Sequence, residues 1–221
     1  MSETSRAERY SSATAIAPAR RATRCIAARV AQVAIVALAA LGPGAAGSAL
    51  AADKIFTVDA GASSLKFLLD TTFHQVHGTM KVTGGTIRFD PSTGSASGTI
   101  AVDATSAETG NGRRDKTMHG DILESARFPA IVFKVERVEG ALPGGTPAGM
   151  KLGGVMTLHG ASHPVTLPAT VRVEGGTVHA ETRLTVPYIE WGLADPSFLF
   201  VRAAKTVEVS IVAQGTLADA P

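Results

Sequence analysis

The chain has 221 residues, of which 45% are hydrophobic and one is cysteine. This length and apolar content are sufficient for one domain with its own core, and a single cysteine excludes an internal disulfide. The whole chain has a formal net charge of +2, but its first 51 residues contain six arginines and two glutamates, so residues 52–221 have 15 basic and 17 acidic side chains. The resulting net charge of −2 excludes a generally basic surface for nucleic acid.

The N-terminal segment has the pattern of a signal peptide. Its basic part contains Arg20, Arg21, Arg24 and Arg29 with no acidic residue among them. The apolar run at residues 30–41 is too short to span a bilayer, and Ala49-Leu50-Ala51 has the small residues of a cleavage site. We predict a signal peptide at residues 1–51, and hence a periplasmic or secreted protein with no stable membrane anchor after cleavage. An uncleaved N-terminal anchor is the alternative.

Two details of this segment concern the export route. The residues after Arg20-Arg21 lack the apolar character of twin-arginine signals, so a Sec-type signal is favoured. Cys25 precedes the apolar run, so it is not a lipid-attachment cysteine at a cleavage site. Cleavage would leave a protein without a thiol, whose stability comes from its core alone.

From residue 55 onward, apolar and polar residues alternate with a period of two. The alternating apolar positions include Leu65, Phe67 and Leu69; Ile87 and Phe89; Ile100 and Val102; Ile131, Phe133 and Val135; and one face each of residues 165–173, 178–184 and 207–213. Side chains on a strand alternate between its faces, so each run predicts a strand with one buried face. Glycine-rich turns such as Gly84-Gly85 and Gly175-Gly176 separate the runs, and we predict eight to ten short antiparallel strands.

One helix and one long loop are predicted among these strands. The helix covers Lys116 to Glu124 and has a poor cap, and the longest loop, residues 140–149, is a hairpin tip that contains Pro143 and Pro147. Many short strands with glycine-rich turns are typical of a sandwich or a barrel. A barrel of eight strands has just enough interior for one small ligand.

The order of several motifs in residues 55–217 is distinctive. Phe56-Thr57-Val58-Asp59 precedes Ser64-Leu65-Lys66-Phe67, residues 109–115 precede Phe128-Pro129, residues 155–160 precede residues 164–167, and Tyr188-Ile189-Glu190-Trp191-Gly192 follows. In this order the chain resembles the YceI family, lipocalin-like proteins that bind polyisoprenoid lipids. The resemblance implies a single antiparallel lipocalin-like β-barrel of about eight strands with a short helix. Glu190-Trp191 and the apolar residues 195–201 depart from the family pattern at the mouth, so the ligand itself can differ.

The inward strand faces and the resemblance together predict a set of ligand-binding residues. They are Phe67, Leu69, Phe89, Val102, Arg114, Asp115, Met118, Ile131, Phe133, Val171 and Trp191. In one interpretation the apolar members line a tunnel; in the other they fill a closed core, as inward side chains ordinarily do.

The segment Arg113-Arg114-Asp115 also has two interpretations. In the first, its guanidinium groups contact a polar head group at the mouth of the barrel, because arginine offers a fork of donors to oxyanions. In the second, the segment only stabilises the corner of the chain. Asp115 then caps the following turn by accepting backbone N–H groups, and Arg114 pairs with a carboxylate.

Motifs for catalysis or metal binding are missing from the sequence. It has no Gly-x-Ser-x-Gly motif and no phosphate-binding loop that ends in Gly-Lys-Ser or Gly-Lys-Thr. Glu190 and Asp195 form at most a weak candidate for a glycosidase-like carboxylate pair. The six histidines, His74, His77, His119, His159, His163 and His179, lack the spacing of metal ligands, although His159 and His163 flank one turn. We predict no catalytic residue, metal or cofactor.

These observations predict a protein that binds a long-chain isoprenoid or another lipid and carries it across the periplasm, with no nucleic-acid partner. Whether it forms a homodimer is left open. Two other classes remain: an enzyme built on the same barrel, and an interaction protein with a filled core. Titratable side chains inside the barrel would favour the enzyme, and a barrel without a cavity would favour the interaction protein.

Overall fold

The computed structural model describes residues 52–197 and 200–221. The predicted signal peptide lies outside the described residues. The elements are β1 (Lys54–Val58), β2 (Ser64–Asp70), β3 (Gln75–Phe89), β4 (Ser95–Glu108), helix α1 (Gly112–Thr117), a π-helical turn (Met118–Ile122), β5 (Ala130–Glu139), β6 (Ala148–Leu158), β7 (Ala161–Glu174), β8 (Thr177–Val186) and β9 (Val207–Asp219). No helix in this part of the chain is long and apolar enough to cross a membrane.

The strands form one closed antiparallel barrel. Each strand from β3 to β8 pairs with the next along the chain, and β1 and β2 both pair with β3 and with β9. β1 and β2 are therefore two parts of one interrupted strand that closes the sheet. Counted in this way, the barrel has eight strands. The predicted single lipocalin-like barrel of about eight strands with a short helix is confirmed.

The break between β1 and β2 is a compact turn held by its own side chains. Asp59 Oδ1 accepts the backbone N–H of Gly61 at 2.8 Å, and the Ser63 hydroxyl donates to the Asp59 carbonyl at 2.6 Å. An aspartate that bonds to the backbone two residues later forms an Asx turn. The turn interrupts the strand, and the chain then continues as β2 between the same two neighbours, β3 and β9.

The two ends of the barrel differ. The start of β1, the end of β9 and the turns after β3, β5 and β7 lie at one end, which we call the closed end. Helix α1, the π-helical turn and the connections after β2, β6 and β8 lie at the opposite end, which we call the mouth. The buried core residues toward the closed end include Phe89, Val138, Met150, Val171 and Val178.

Glycines allow close approach of backbones in the half of the barrel near the closed end. Gly85 and Gly98 have φ angles of 154° and 139° on the paired strands β3 and β4. A Cβ on Gly85 would lie 2.1 Å from the Thr99 carbonyl oxygen, and one on Gly98 would lie 2.1 Å from that of Thr86. Only glycine fits at such positions, which are typical of tightly bent barrel strands.

The helix and the longest connection differ from the sequence predictions. The helical segment begins at Gly112 rather than Lys116, because Asn111 Oδ1 accepts the backbone N–H groups of Arg113 and Arg114 at 3.2 and 3.1 Å. The prediction of a poorly capped helix was therefore wrong. The loop after β5 is a hairpin tip as predicted, but the connection between Val186 and Val207 is longer.

Candidate functional site

The barrel contains a cavity of about 960 Å³ between the closed end and the mouth. Inward side chains from all nine strands form its wall, and the wall is almost entirely aliphatic or aromatic. Exposed residues such as His74, Asn111, Arg113 and Asp121 line its outer end, so the cavity reaches solvent at the mouth. The interior is therefore hollow rather than a filled core.

Two aromatic rings of the wall lie over glycines. A Cβ on Gly78 would lie 2.1 Å from Phe67 Cζ, and one on Gly154 would lie 3.1 Å from Phe133 Cε2. Gly78 is the cross-strand partner of Phe67. Because these rings cover the glycine positions, they lie along the wall and leave the lumen open.

Seven of the eleven predicted ligand-binding residues line the cavity. They are Phe67, Leu69, Val102, Arg114, Met118, Ile131 and Phe133. The structure brings these together from three strands (β2, β4 and β5) and the helical segment. Contact with a ligand remains a prediction for each of them.

The other four predicted residues do not line the cavity. Phe89 and Val171 lie at the closed end, where each packs into the filled part of the core. Trp191 stacks on His163, with ring centroids 4.1 Å apart and planes 3° from parallel. The Asp115 carboxylate is bonded to Thr109 instead of facing the lumen. Alternation identified the inward faces, but not the depth at which the cavity ends.

Several wall residues were absent from the predicted set. They include Met80, Met156, Leu167, Leu184, Val207, Val209 and Ile211. Val207, Val209 and Ile211 form an alternating apolar face in the sequence, and β9 pairs with both β2 and β8. The same alternation that identified Phe67 therefore contained the signal for these positions.

A short hydrogen-bonded chain organises one side of the mouth. Arg114 Nε donates to Thr109 Oγ1 at 2.7 Å and Arg114 Nη2 donates to the Thr109 carbonyl at 3.0 Å. The Thr109 hydroxyl and backbone N–H both donate to Asp115 Oδ1. The prediction that Asp115 caps the following turn was wrong, because the backbone N–H that it accepts is that of Thr109, before the helix, and Asn111 is the cap. The predicted partner of Arg114 was wrong, because the guanidinium bonds to a hydroxyl and a carbonyl rather than to a carboxylate.

Tyr188 and Asp195 lie on the rim of the cavity. The Tyr188 hydroxyl donates to the Ala204 carbonyl at 2.8 Å, and burial, with a smaller effect of the Asp195 carboxylate, raises the pKa of Tyr188 to about 12. Hydrogen bonds from Lys205 and Ser197 hold the pKa of Asp195 well below its usual range. Glu190 is exposed and does not line the cavity, so the acids do not form a carboxylate pair across it.

The histidines near the β6–β7 turn are engaged in other contacts. His159 Nε2 lies 3.0 Å from Glu124 Oε1, and its ring packs on Phe128 with centroids 4.5 Å apart. His163 stacks on Trp191. Within residues 52–197 and 200–221, no three histidine, cysteine, aspartate or glutamate side chains converge as metal ligands would.

Comparison with known proteins places this geometry in a family. Residues 56–214 match the YceI-like domain. Over 133 residues, the chain is 30% identical to the UPF0312 protein of Pseudomonas syringae pv. tomato and 29% identical to Protein YceI of Escherichia coli O157:H7; each alignment covers 59% of this chain and 67% of the relative.

Solved structures share the fold at lower identity. BcnA of Burkholderia cenocepacia superposes with a TM-score of 0.61 at 20% identity, over 72% of this chain and 99% of that one. A polyisoprenoid binding domain from Saccharophagus degradans superposes with a TM-score of 0.58 at 19% identity, over 75% and 98% of the two chains. The barrel, its short capped helix and the match over residues 56–214 show that this chain belongs to the YceI family.

Proposed function

We propose that the barrel binds a long-chain amphiphile, an isoprenoid lipid or isoprenoid quinone, and carries it through the periplasm. The observation that carries the proposal is the cavity of about 960 Å³, with an apolar wall and a polar mouth. Ligand pockets typically have volumes of about 300–1,000 Å³, so this cavity is at the large end of that range. The polyisoprenoid binding domain of Saccharophagus degradans supports the same ligand class.

The distribution of charge matches an amphiphile. The ionisable side chains that line the cavity are His74, Arg113, Arg114, Asp121, Tyr188 and Asp195, and all lie at the mouth. The apolar interior stabilises a hydrocarbon chain by about 0.8 kcal/mol for each buried CH₂ group. Affinity therefore comes from the tail, and selectivity comes from the cavity length and the polar rim.

Arg114 is the rim group best placed to contact a polar head. Its Nε and Nη2 bond to Thr109, which holds the guanidinium in place, while Nη1 donates to no protein group among the described residues. A guanidinium held on one edge presents its remaining donors at low cost in side-chain entropy. We infer that it donates to an oxygen of the head group.

The interior favours binding over catalysis. Below the rim, the part of the wall that the structure describes contains no titratable side chain that could transfer a proton. The enzyme hypothesis therefore has no supporting group inside the barrel. Passage through the periplasm depends on the predicted signal peptide at residues 1–51.

Native mass spectrometry of protein purified from its own source, with gentle desalting, tests the proposal by reporting whether a lipid accompanies the fold and what its mass is. Leu184 lines the cavity and Thr185 is its exposed neighbour on β8. Leu184→Trp should reduce bound lipid, because the ring occupies the lumen, while Thr185→Trp should not. Protein that carries no lipid, or equal lipid in both variants, would contradict the proposal.

A further inference from the structure

The large hydrophobic side chains that are exposed in the described residues all lie in one place. They are Phe73, Phe200 and Val201, with 70%, 84% and 37% of their surfaces accessible. Phe73 lies in the connection after β2, and Phe200 and Val201 lie in the connection before β9. Scattered exposed apolar residues are ordinary, but a group of this kind marks a surface for another apolar body.

The two segments that carry these side chains are hydrogen-bonded to each other. We call residues 71–74 and 200–204 the apolar lip. The Thr72 N–H donates to the Arg202 carbonyl at 2.9 Å, the Arg202 N–H donates to Thr72 Oγ1 at 3.0 Å, and Thr71 forms a β-bridge with Ala203. Phe73 and Phe200 therefore project from a paired backbone rather than from two independent loops.

The apolar lip lines the cavity only in part, and its two phenyl rings are not part of the cavity wall. Thr71, His74, Val201 and Ala203 line the outer end of the cavity, whereas Phe73 and Phe200 do not. The two phenyl rings are thus beside the opening, on the outside. A hydrocarbon chain that leaves an apolar surface in contact with the lip would enter the cavity with little exposure to water.

The charge of the lip indicates which apolar surface it contacts. Residues 71–74 and 200–204 contain Arg202 and His74 but no carboxylate. Arg202 is exposed and forms no ion pair in the part of the chain that the structure describes; the exposed Arg113 lies elsewhere on the same mouth. Phenylalanine rings that enter the interface, together with basic side chains that attract anionic lipids, are the features by which peripheral proteins bind a bilayer surface.

We propose that the apolar lip docks the mouth of the barrel on an anionic lipid bilayer. Phe73 and Phe200 enter the interfacial region, and Arg202 contacts lipid phosphate groups. Docking itself does not depend on the identity of the cargo, but its role in lipid transfer rests on the proposed function. The surface is a bilayer rather than a protein partner because the lip leads directly into an apolar cavity open at the same end.

Flotation with vesicles tests this proposal, with protein purified from the periplasmic extract of cells that express the full chain. Vesicles of phosphatidylcholine with one quarter phosphatidylglycerol are compared with vesicles of phosphatidylcholine alone. The double substitution Phe73→Ser, Phe200→Ser should lower the partition coefficient about tenfold or more, since burial of one phenylalanine side chain has an effect of that size. Phe73→Leu, Phe200→Leu keeps apolar side chains and should retain most of the binding.

Arginine variants test the electrostatic part. Arg202→Gln should lower binding to the anionic vesicles about fivefold and leave binding to neutral vesicles unchanged. Arg183→Gln is the matched control, because Arg183 is exposed on the outer face of β8 and forms no ion pair among the described residues. It should bind both vesicles as the wild type does.

Bound lipid, measured by native mass spectrometry, separates this proposal from the proposed function. The serine variant should melt like the wild type and retain its lipid, because neither phenylalanine lines the cavity. Wild-type protein that floats with neither vesicle overturns docking, even if it carries lipid. A serine variant that floats as the wild type does also overturns it. Lipid-free protein that still floats through the lip would contradict only the proposed function.

Discussion

The halves of the barrel near the closed end and near the mouth use the same strands in different ways. On β3, β5 and β7, the inward residues near the closed end, such as Phe89, Val138 and Val171, pack into a filled core. Toward the mouth, Met80, Phe133 and Leu167 on the same strands face a cavity. An identical pattern of alternation therefore produces a solid plug in one half and a binding site in the other.

The strands also contain irregularities in both halves. Register shifts occur between Val82 and Gly84 and between Val135 and Arg137, toward the closed end, and a further shift lies between Thr79 and Lys81, toward the mouth. The close-contact glycines Gly85 and Gly98 are in the same region. Bulges and glycines increase the twist and bending of strands, which brings inward side chains together. The apolar pattern is the same in both halves, so it does not by itself determine where the cavity ends.

The largest expected loss of stability comes from a substitution in the half of the barrel near the closed end. Phe89→Ala should lower the free energy of unfolding by about 3–5 kcal/mol, because it leaves a void in a packed core. Bound lipid per folded protein should not change. Urea denaturation with native mass spectrometry of the folded fraction measures both quantities. A variant of full stability that loses its lipid would place Phe89 in the binding site.

The hydrogen-bonded corner of the mouth, formed by Thr109, Arg114 and Asp115, should contribute less to the free energy of unfolding than Phe89 does. Asp115→Ala removes the acceptor of two Thr109 donors and should lower stability by about 1–3 kcal/mol. Thr109→Val, which keeps the backbone groups, should have a similar cost. The Arg114→Ala, Asp115→Ala double variant should cost less than the sum of the single variants, because both residues act through Thr109. If the single variants melt like the wild type but lose lipid, the corner is a head-group site and not a structural element.

A matched pair of phenylalanine variants compares the two halves directly. Phe133→Leu should lower stability by less than about 1.5 kcal/mol, since its ring borders empty space, yet it should change the amount or mass of bound lipid. Phe89→Leu should lower stability more than Phe133→Leu does and leave the amount and mass of bound lipid unchanged. Thermal melts and lipid extracts of both variants provide the test, and a sharp loss of melting temperature in Phe133→Leu without a change in lipid would show that Phe133 is ordinary core.

The smallest expected change in stability occurs at alkaline pH and comes from Tyr188, at the mouth. The pKa of Tyr188 is about 12 in the folded protein, compared with an ordinary value of 10.0. The folded state therefore holds this proton more tightly than the unfolded state, and stability should fall as pH rises from 10 toward 12. Tyr188→Phe should show a smaller decline in melting temperature over that range. The difference in phenolate absorbance between the two proteins measures the pKa, and a midpoint near 10 would contradict the expectation.

The sequence alone predicted the class of structure because that information is local. Alternation with a period of two and glycine-rich turns specify strands and their buried faces without reference to distant residues. The motif order, including residues 109–115 with Phe128-Pro129, was sufficient to identify the family. The helix start was also encoded locally, in Asn111, but its capping role was missed.

Only the tertiary structure decided which inward residues border empty space. Phe67 and Phe89 both occupy inward positions, and the closed barrel places one at the cavity and the other in the plug. The partner of Arg114 depends on how the chain folds at the corner, which brings Thr109 to the guanidinium. The segments that carry Phe73 and Phe200 are distant in sequence, and only the closed barrel pairs them. Volume and proximity arise from the closure of the whole sheet, whereas alternation along one strand determines only the direction in which a side chain points.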